Sequence, residues 1–217
     1  MKNVKPLFFA SVLFAFVLVL LYRRVGNDAL DIWIPYPFNA DILIVILYLG
    51  WLIFESTITK KEVKQGSRTS DYGTCELYAL GQGLTLISAL WFKSRWLSLS
   101  PAHIFGLLVF CSGVMLRIWA VQTLGKYYSH IVREIEGHKI ITAGPYRVIR
   151  HPAYAGMLTA NAGVAIFFFN IATSLILLLL LFPAIVLRIM VEGKTLVRIE
   201  GYQEQMGPKK RLIPFIW

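Results

Sequence analysis

Long apolar runs alternate with short, basic connections along the chain. Run one covers roughly Pro6–Tyr22, run two about Asp41–Thr57, run three about Glu76–Phe92 and run four about Pro101–Leu124. A longer run reaches from Pro152 to Leu187, with Asn161 and Asn170 its most polar members. Runs of this length and polarity predict membrane helices. One helix over the last run would reach roughly 50 Å, against a hydrocarbon core of about 30 Å. Two shorter helices turning near Asn170 fit better, and such a hairpin returns Arg188 to the face that holds His151. The prediction is an all-α integral membrane protein of about five to six transmembrane helices. Residues 1–124 supply the N-terminal transmembrane helices; residues 125–217 supply a loop, the helical hairpin and a C-terminal tail of one integrated membrane domain.

Composition agrees. The chain is 57% hydrophobic and 16% charged, with mean hydropathy +0.62, whereas soluble domains carry about a quarter charged residues. A formal charge of +10 would suggest nucleic acid in a soluble chain. Here the cations sit at the ends of apolar runs, so membrane lipids are the expected partner and nucleic acid is not. Lys2, Lys5, Lys60, Lys61, Lys64, Arg68, Lys126, Arg133, Lys139, Arg147, Arg150 and the basic tail fall on one side of a six-span arrangement. Only Arg23, Arg24, Lys93 and Arg95 fall on the other. Both termini are therefore expected on the cytoplasmic side of the cell inner membrane. Lys2 and Lys5 before an apolar run imitate a signal peptide, but no small-residue cleavage site follows, so a retained first helix is expected. Cys75 and Cys111 make no disulfide framework and no metal-ligand spacing; no metal site is expected.

Within the runs, Gly81-Gln-Gly83 allows close helix packing. It is not a nucleotide loop, because no strand precedes it. Arg117 lies inside run four, where an arginine either snorkels to the interface, joins a structural pair or marks a site. The polar stretch Gly125–Arg150 is long enough to fold over the membrane face.

The densest chemistry lies in Gly144-Pro-Tyr-Arg-Val-Ile-Arg-His-Pro-Ala-Tyr-Ala-Gly156. Gly144-Pro145 predicts a turn. Arg147 and Arg150 offer planar forks for an anion, and Pro152 suits the first turn of the next helix. A juxtamembrane basic cluster obeying the positive-inside rule accounts for the two arginines, but not for His151 or Tyr154. Further on, Arg188 and Glu192 stand at i,i+4 on one helix face. They form either a helix-end ion pair or two contacts to ligand groups of opposite charge.

The turn motif, the hairpin after it and Arg188-Ile-Met-Val-Glu192 closely resemble the isoprenylcysteine carboxyl methyltransferases, relatives of the phospholipid methyltransferases. Gly201-Tyr202 and Arg211-Leu-Ile-Pro214 look like that family's bacterial branch. The resemblance covers roughly Leu116–Trp217. It implies a cytoplasmic pocket for S-adenosyl-L-methionine lined by His138, Lys139, Ile140, Ile141, Tyr146, His151, Pro152, Ala153, Tyr154 and Glu192. It implies that Arg188 contacts the substrate, a lipophilic small-molecule or lipidated acceptor whose carboxylate receives the methyl group. A departure stands at Gly193, where the family usually shows a second acidic residue. Phospholipid N-methylation, a nicotinamide-dependent reductase of the sterol-reductase type, and a non-enzymatic lipid-binding membrane protein are the alternative readings.

Overall fold

The computed structural model describes residues 15–20, 22, 37–63, 73–92, 100–128, 140–214 and 216–217. Among the described residues the chain is helical, and its only β pairing is an isolated parallel bridge between Ile149 and Lys210. The helices are α1 (Pro37–Val63), α2 (Thr74–Trp91), α3 (Pro101–Leu124), α4 (Pro152–Phe168), α5 (Ile171–Leu196) and the short α6 (Tyr202–Met206). Three of the described helices are long and apolar enough to cross a membrane: α1 over Ala40–Thr57, α3 and α5. That is fewer than the five to six spans expected. Most of run one lies outside the described residues, α2 carries Gln82, Thr85 and Ser88, and α4 is a shorter apolar helix.

Local chemistry sets the helix starts. Pro101 and Pro152 occupy first-turn positions of α3 and α4, where a missing N–H costs nothing. The Ser100 N–H donates to His103 Nδ1 at 3.1 Å, closing the mouth of α3. The hairpin between α4 and α5 forms where expected, through Phe169 and Asn170. Asn170 Oδ1 caps α5 by accepting from the Thr173 N–H and from Thr173 Oγ1, each at 2.8 Å. Asn170→Ala is therefore expected to lower stability by about 1 kcal/mol and Asn170→Gly by a few tenths. Thermal melts of the purified protein in detergent check this ranking.

Two close approaches fix the bundle. A Cβ on Gly81 would stand 3.0 Å from the Leu181 Cα, so α2 lies against α5 as the small residue predicted. Leu181 ends a π-helical stretch, Leu177–Leu181, just before Pro183. Proline has no N–H to donate there, and the wider turn absorbs the break. The tighter contact joins α3 to α4 through Gly106 and Gly113 on one helix and Gly156 and Gly163 on the other. A Cβ on Gly106 would stand 2.7 Å from the Phe167 nitrogen, and one on Gly156 2.6 Å from the Arg117 nitrogen. Side chains cannot fit between these backbones.

Some polar groups inside the bundle pair across helices. Tyr48 OH donates to Asn161 Oδ1 at 3.1 Å, and Ser88 and Thr173 share a hydroxyl contact at 3.1 Å. Such bonds offset the cost of taking hydroxyls and amides out of water.

Candidate active site

The last turn of α5, the start of α4 and the turn before α4 meet at one end of the hairpin, opposite Asn170. Gly144–Arg147 forms a 3-10 turn, and the C-terminal tail folds back onto it. Backbone bonds run from the Arg150 N–H to Lys210 O at 2.8 Å and from the His151 N–H to Arg211 O at 2.9 Å. Arg150 Nε donates to Lys209 O at 2.7 Å and Nη2 to Gly207 O, while Lys209 Nζ donates to Tyr146 O at 2.6 Å. Two donors of the Arg150 fork thus hold the tail, which fixes the guanidinium in place and leaves part of the fork for an anion. Arg147 is exposed.

Behind this clasp the predicted site residues converge in two groups. Tyr146, Ala153 and Tyr202 are buried in one cluster with Ala120 and Met206, and Ile140 packs against it. His151, Pro152 and Tyr154 are buried, and Ile141 is half-buried beside the turn. His151 Nδ1 lies 3.8 Å from Glu192 Oε2, too far for a hydrogen bond. Glu192 Oε2 is buried with no hydrogen-bond partner. The remaining two predicted residues, His138 and Lys139, lie outside the described residues.

Electrostatics mark the same spot. Burial lowers the His151 pKa from its ordinary value; Glu192 opposes that shift, and Arg150 and Arg211 add to it. The ring is therefore neutral at pH 7 and offers one donor and one acceptor. Burial, then the Glu192 carboxylate, push the Tyr146 phenol well up and the Tyr202 phenol up to about 12. Both stay protonated donors.

Arg188 does not make the ion pair that its i,i+4 spacing to Glu192 allows. Its Nε donates to Tyr154 OH and its Nη1 to Thr74 Oγ1, both at 3.0 Å. The guanidinium is 1% exposed and lies 6.0 Å from the Tyr78 ring centre. Arg188 and Glu192 consequently present opposite charges along one wall of the site without neutralising each other.

Arg117 does not snorkel. It is 0% exposed and clamped by Glu55 of α1, Nε to Oε1 at 2.8 Å and Nη2 to Oε2 at 3.0 Å. Trp51 Nε1 steadies the same carboxylate at 2.9 Å. Nη1 of Arg117 has no hydrogen-bond partner, and its guanidinium carbon lies 5.4 Å from the Tyr128 ring centre. The reading of the sequence missed Glu55, Thr74, Tyr78, Tyr128 and Tyr202 as members of this neighbourhood. Glu55 was detectable, because an acid inside an apolar run needs a buried partner.

A ring of phenols, a neutral imidazole, an unpartnered carboxylate oxygen and two buried guanidiniums suits a ligand with both cationic and anionic parts. Residues 105–198, which include all of these except Glu55, Thr74, Tyr78 and Tyr202, match the model of the isoprenylcysteine carboxyl methyltransferase (ICMT) family. This segment, a little under half of the chain, is thus similar to the ICMT family. Protein-S-isoprenylcysteine O-methyltransferase B of Arabidopsis thaliana is 37% identical over 68 residues, 30% of this chain and 34% of that protein. A probable protein-S-isoprenylcysteine O-methyltransferase of Oryza sativa subsp. indica is 32% identical over 115 residues, 51% of this chain and 60% of that protein. The Schizosaccharomyces pombe protein-S-isoprenylcysteine O-methyltransferase is 31% identical over 102 residues, 46% and 43% of the two chains. The chain thus spans from about a third to three fifths of the length of these ICMT relatives. The ICMT match begins at residue 105, before the Leu116 boundary read from the motifs, and ends at residue 198.

Proposed function

We propose that the protein is a carboxyl O-methyltransferase that uses S-adenosyl-L-methionine and takes a lipidated, isoprenylcysteine-like carboxylate from the membrane. The observation that carries this is the separation of charges on α5: Arg188 anchored by Tyr154 and Thr74, and Glu192 left with a buried, unpartnered oxygen one turn later. The pocket fits the cofactor on that same ground, since a buried acceptor without a donor needs a hydroxyl or cationic group supplied from outside. Glu192, His151, Tyr146 and the segment His138–Ile141 would hold it. When bound, the sulfonium supplies an already activated methyl group.

The protein's own contribution is alignment and exclusion of water. A carboxylate is nucleophilic without losing a proton, so no side chain has to act as a base. Arg188 would orient the acceptor carboxylate, and Nη1 of Arg117 is a second candidate donor. The positive charge of Arg188 argues against a cationic headgroup amine as acceptor. The aliphatic tail of the acceptor would lie among the apolar helix faces. The basic tail at the same end of the hairpin supports a cytoplasmic site in the inner membrane.

Calorimetry with S-adenosylmethionine and S-adenosylhomocysteine on detergent-purified protein tests the cofactor, and transfer of labelled methyl to a prenylcysteine or to phosphatidylethanolamine tests the acceptor. Saturable binding and labelled prenylcysteine ester are expected. Binding of a nicotinamide dinucleotide instead, or label on the amine, defeats the proposal. Arg188→Lys keeps the charge but loses the fork, and is expected to raise the prenylcysteine KM about tenfold or more while leaving cofactor affinity intact.

A further inference from the structure

The face of α5 turned away from Arg188 and Glu192 borders a cavity of about 480 Å³ at the same end of the helix. Ile189, Met190 and Val197 make its apolar floor, and Arg150, Lys194 and Arg211 bring three cations to it. No carboxylate lines it. Two of the cations are held in place: Arg150 by the tail carbonyls described above, and Arg211 by Trp217, whose ring centre lies 5.6 Å from its guanidinium carbon. Met190 is 48% and Val197 49% exposed, although the first lies in the final turns of a helix apolar enough to span a membrane and the second directly follows it. Gly193 opens the floor between them, since a Cβ there would meet nothing within 4 Å.

We infer that this groove is a binding site for an acidic phospholipid. Its phosphate would sit among Arg150, Lys194 and Arg211, and one acyl chain would follow Met190 and Ile189 down α5. Charge complementarity selects the occupant. A cluster of cations with no acid to neutralise it attracts a phosphate, and an apolar floor running into the bilayer attracts a chain. A soluble anion uses only the first feature, and a zwitterionic lipid brings a cation into the cluster. The inference does not rest on the methyl-transfer proposal, although the groove adjoins that site: His151 and Tyr202 line it, and both stand in the neighbourhood of Glu192.

Native mass spectrometry of the full-length protein in mixed micelles of phosphatidylglycerol and phosphatidylcholine tests it. Retention of phosphatidylglycerol over phosphatidylcholine is expected. Gly193→Glu and Gly193→Lys place side chains of similar size in the same open space on a helix that tolerates both. The glutamate is expected to weaken phosphatidylglycerol retention about fivefold or more, and the lysine to strengthen it. Equal retention of the two lipids overturns the inference, as does an equal response to the two substitutions, which would make the effect steric. A thermal shift from inorganic phosphate alone that matches that from phosphatidylglycerol reassigns the site to a free anion and overturns the lipid. Thermal melts of both variants without added lipid confirm that each is folded.

Discussion

Glu192→Ala is expected to abolish calorimetric binding of S-adenosylmethionine while leaving the protein folded. Both halves of that result follow from one atom. Glu192 Oε2 is buried and makes no hydrogen bond, and its approach to His151 is 3.8 Å. Removing it therefore breaks no bond within the fold, and relieves the cost of an unmet acceptor. A ligand that meets this oxygen gains a charge-assisted bond worth about 1.5–3 kcal/mol, roughly ten- to 150-fold in affinity. Loss of the two acceptor oxygens together takes a micromolar ligand out of calorimetric range. Circular dichroism and an unchanged melting temperature would show that the helices persist. Wild-type affinity in the variant would remove Glu192 from the cofactor site.

The second large effect is on folding. Glu55→Ala leaves the Arg117 guanidinium, 0% exposed, without its counter-charge. Stranding one member of a buried ion pair costs about 3–5 kcal/mol, and Trp51 Nε1 loses its acceptor as well. For a chain of this size the expected drop in melting temperature is on the order of 10 °C. Glu55→Gln, which keeps an acceptor, is expected to fall between. The double replacement of Glu55 and Arg117 by leucine is expected to cost less than Glu55→Ala, because no charge remains buried. A wild-type melting curve for Glu55→Ala would mean that Arg117 finds its stability elsewhere.

The contrast between these two acids explains what was legible in the sequence. The placement of Glu192 was readable because its surroundings are local: Arg188 and Glu192 lie four residues apart on one helix face, and the length of the Pro152–Leu187 run required a hairpin that returns them to His151, while its cofactor role came from the family resemblance alone. The helix bounds of run four were readable for the same kind of reason, a proline start at Pro101 and a polar stop after Leu124. Glu55 and Arg117 meet across 62 positions, and helical periodicity carries no information at that separation. The tail-holding role of Arg150 was not legible, because the tail carbonyls that take two of its donors come from 57 and 59 positions away. Glycines 106, 113, 156 and 163 recur at seven-residue intervals on two runs, a legible pattern whose partner helix was not. The π-helical stretch lies in a leucine run with no internal landmark, and Pro183 is its only cue.

The interlock of those glycines has a consequence for how the protein moves. Where backbone touches backbone there is no layer of side chains to rearrange, so α3 and α4 can neither slide nor part by small steps. Arg117 rides on one of them and Tyr154 on the other, which makes that half of the chamber a stator. If the methyl-transfer proposal holds, entry of a long-chain acceptor and exit of its ester would be gated from the opposite half. There α5 has a wide π turn and meets α2 through side chains as well as Gly81. Opening of the bundle is thus assigned to one wall by the other wall's inability to give.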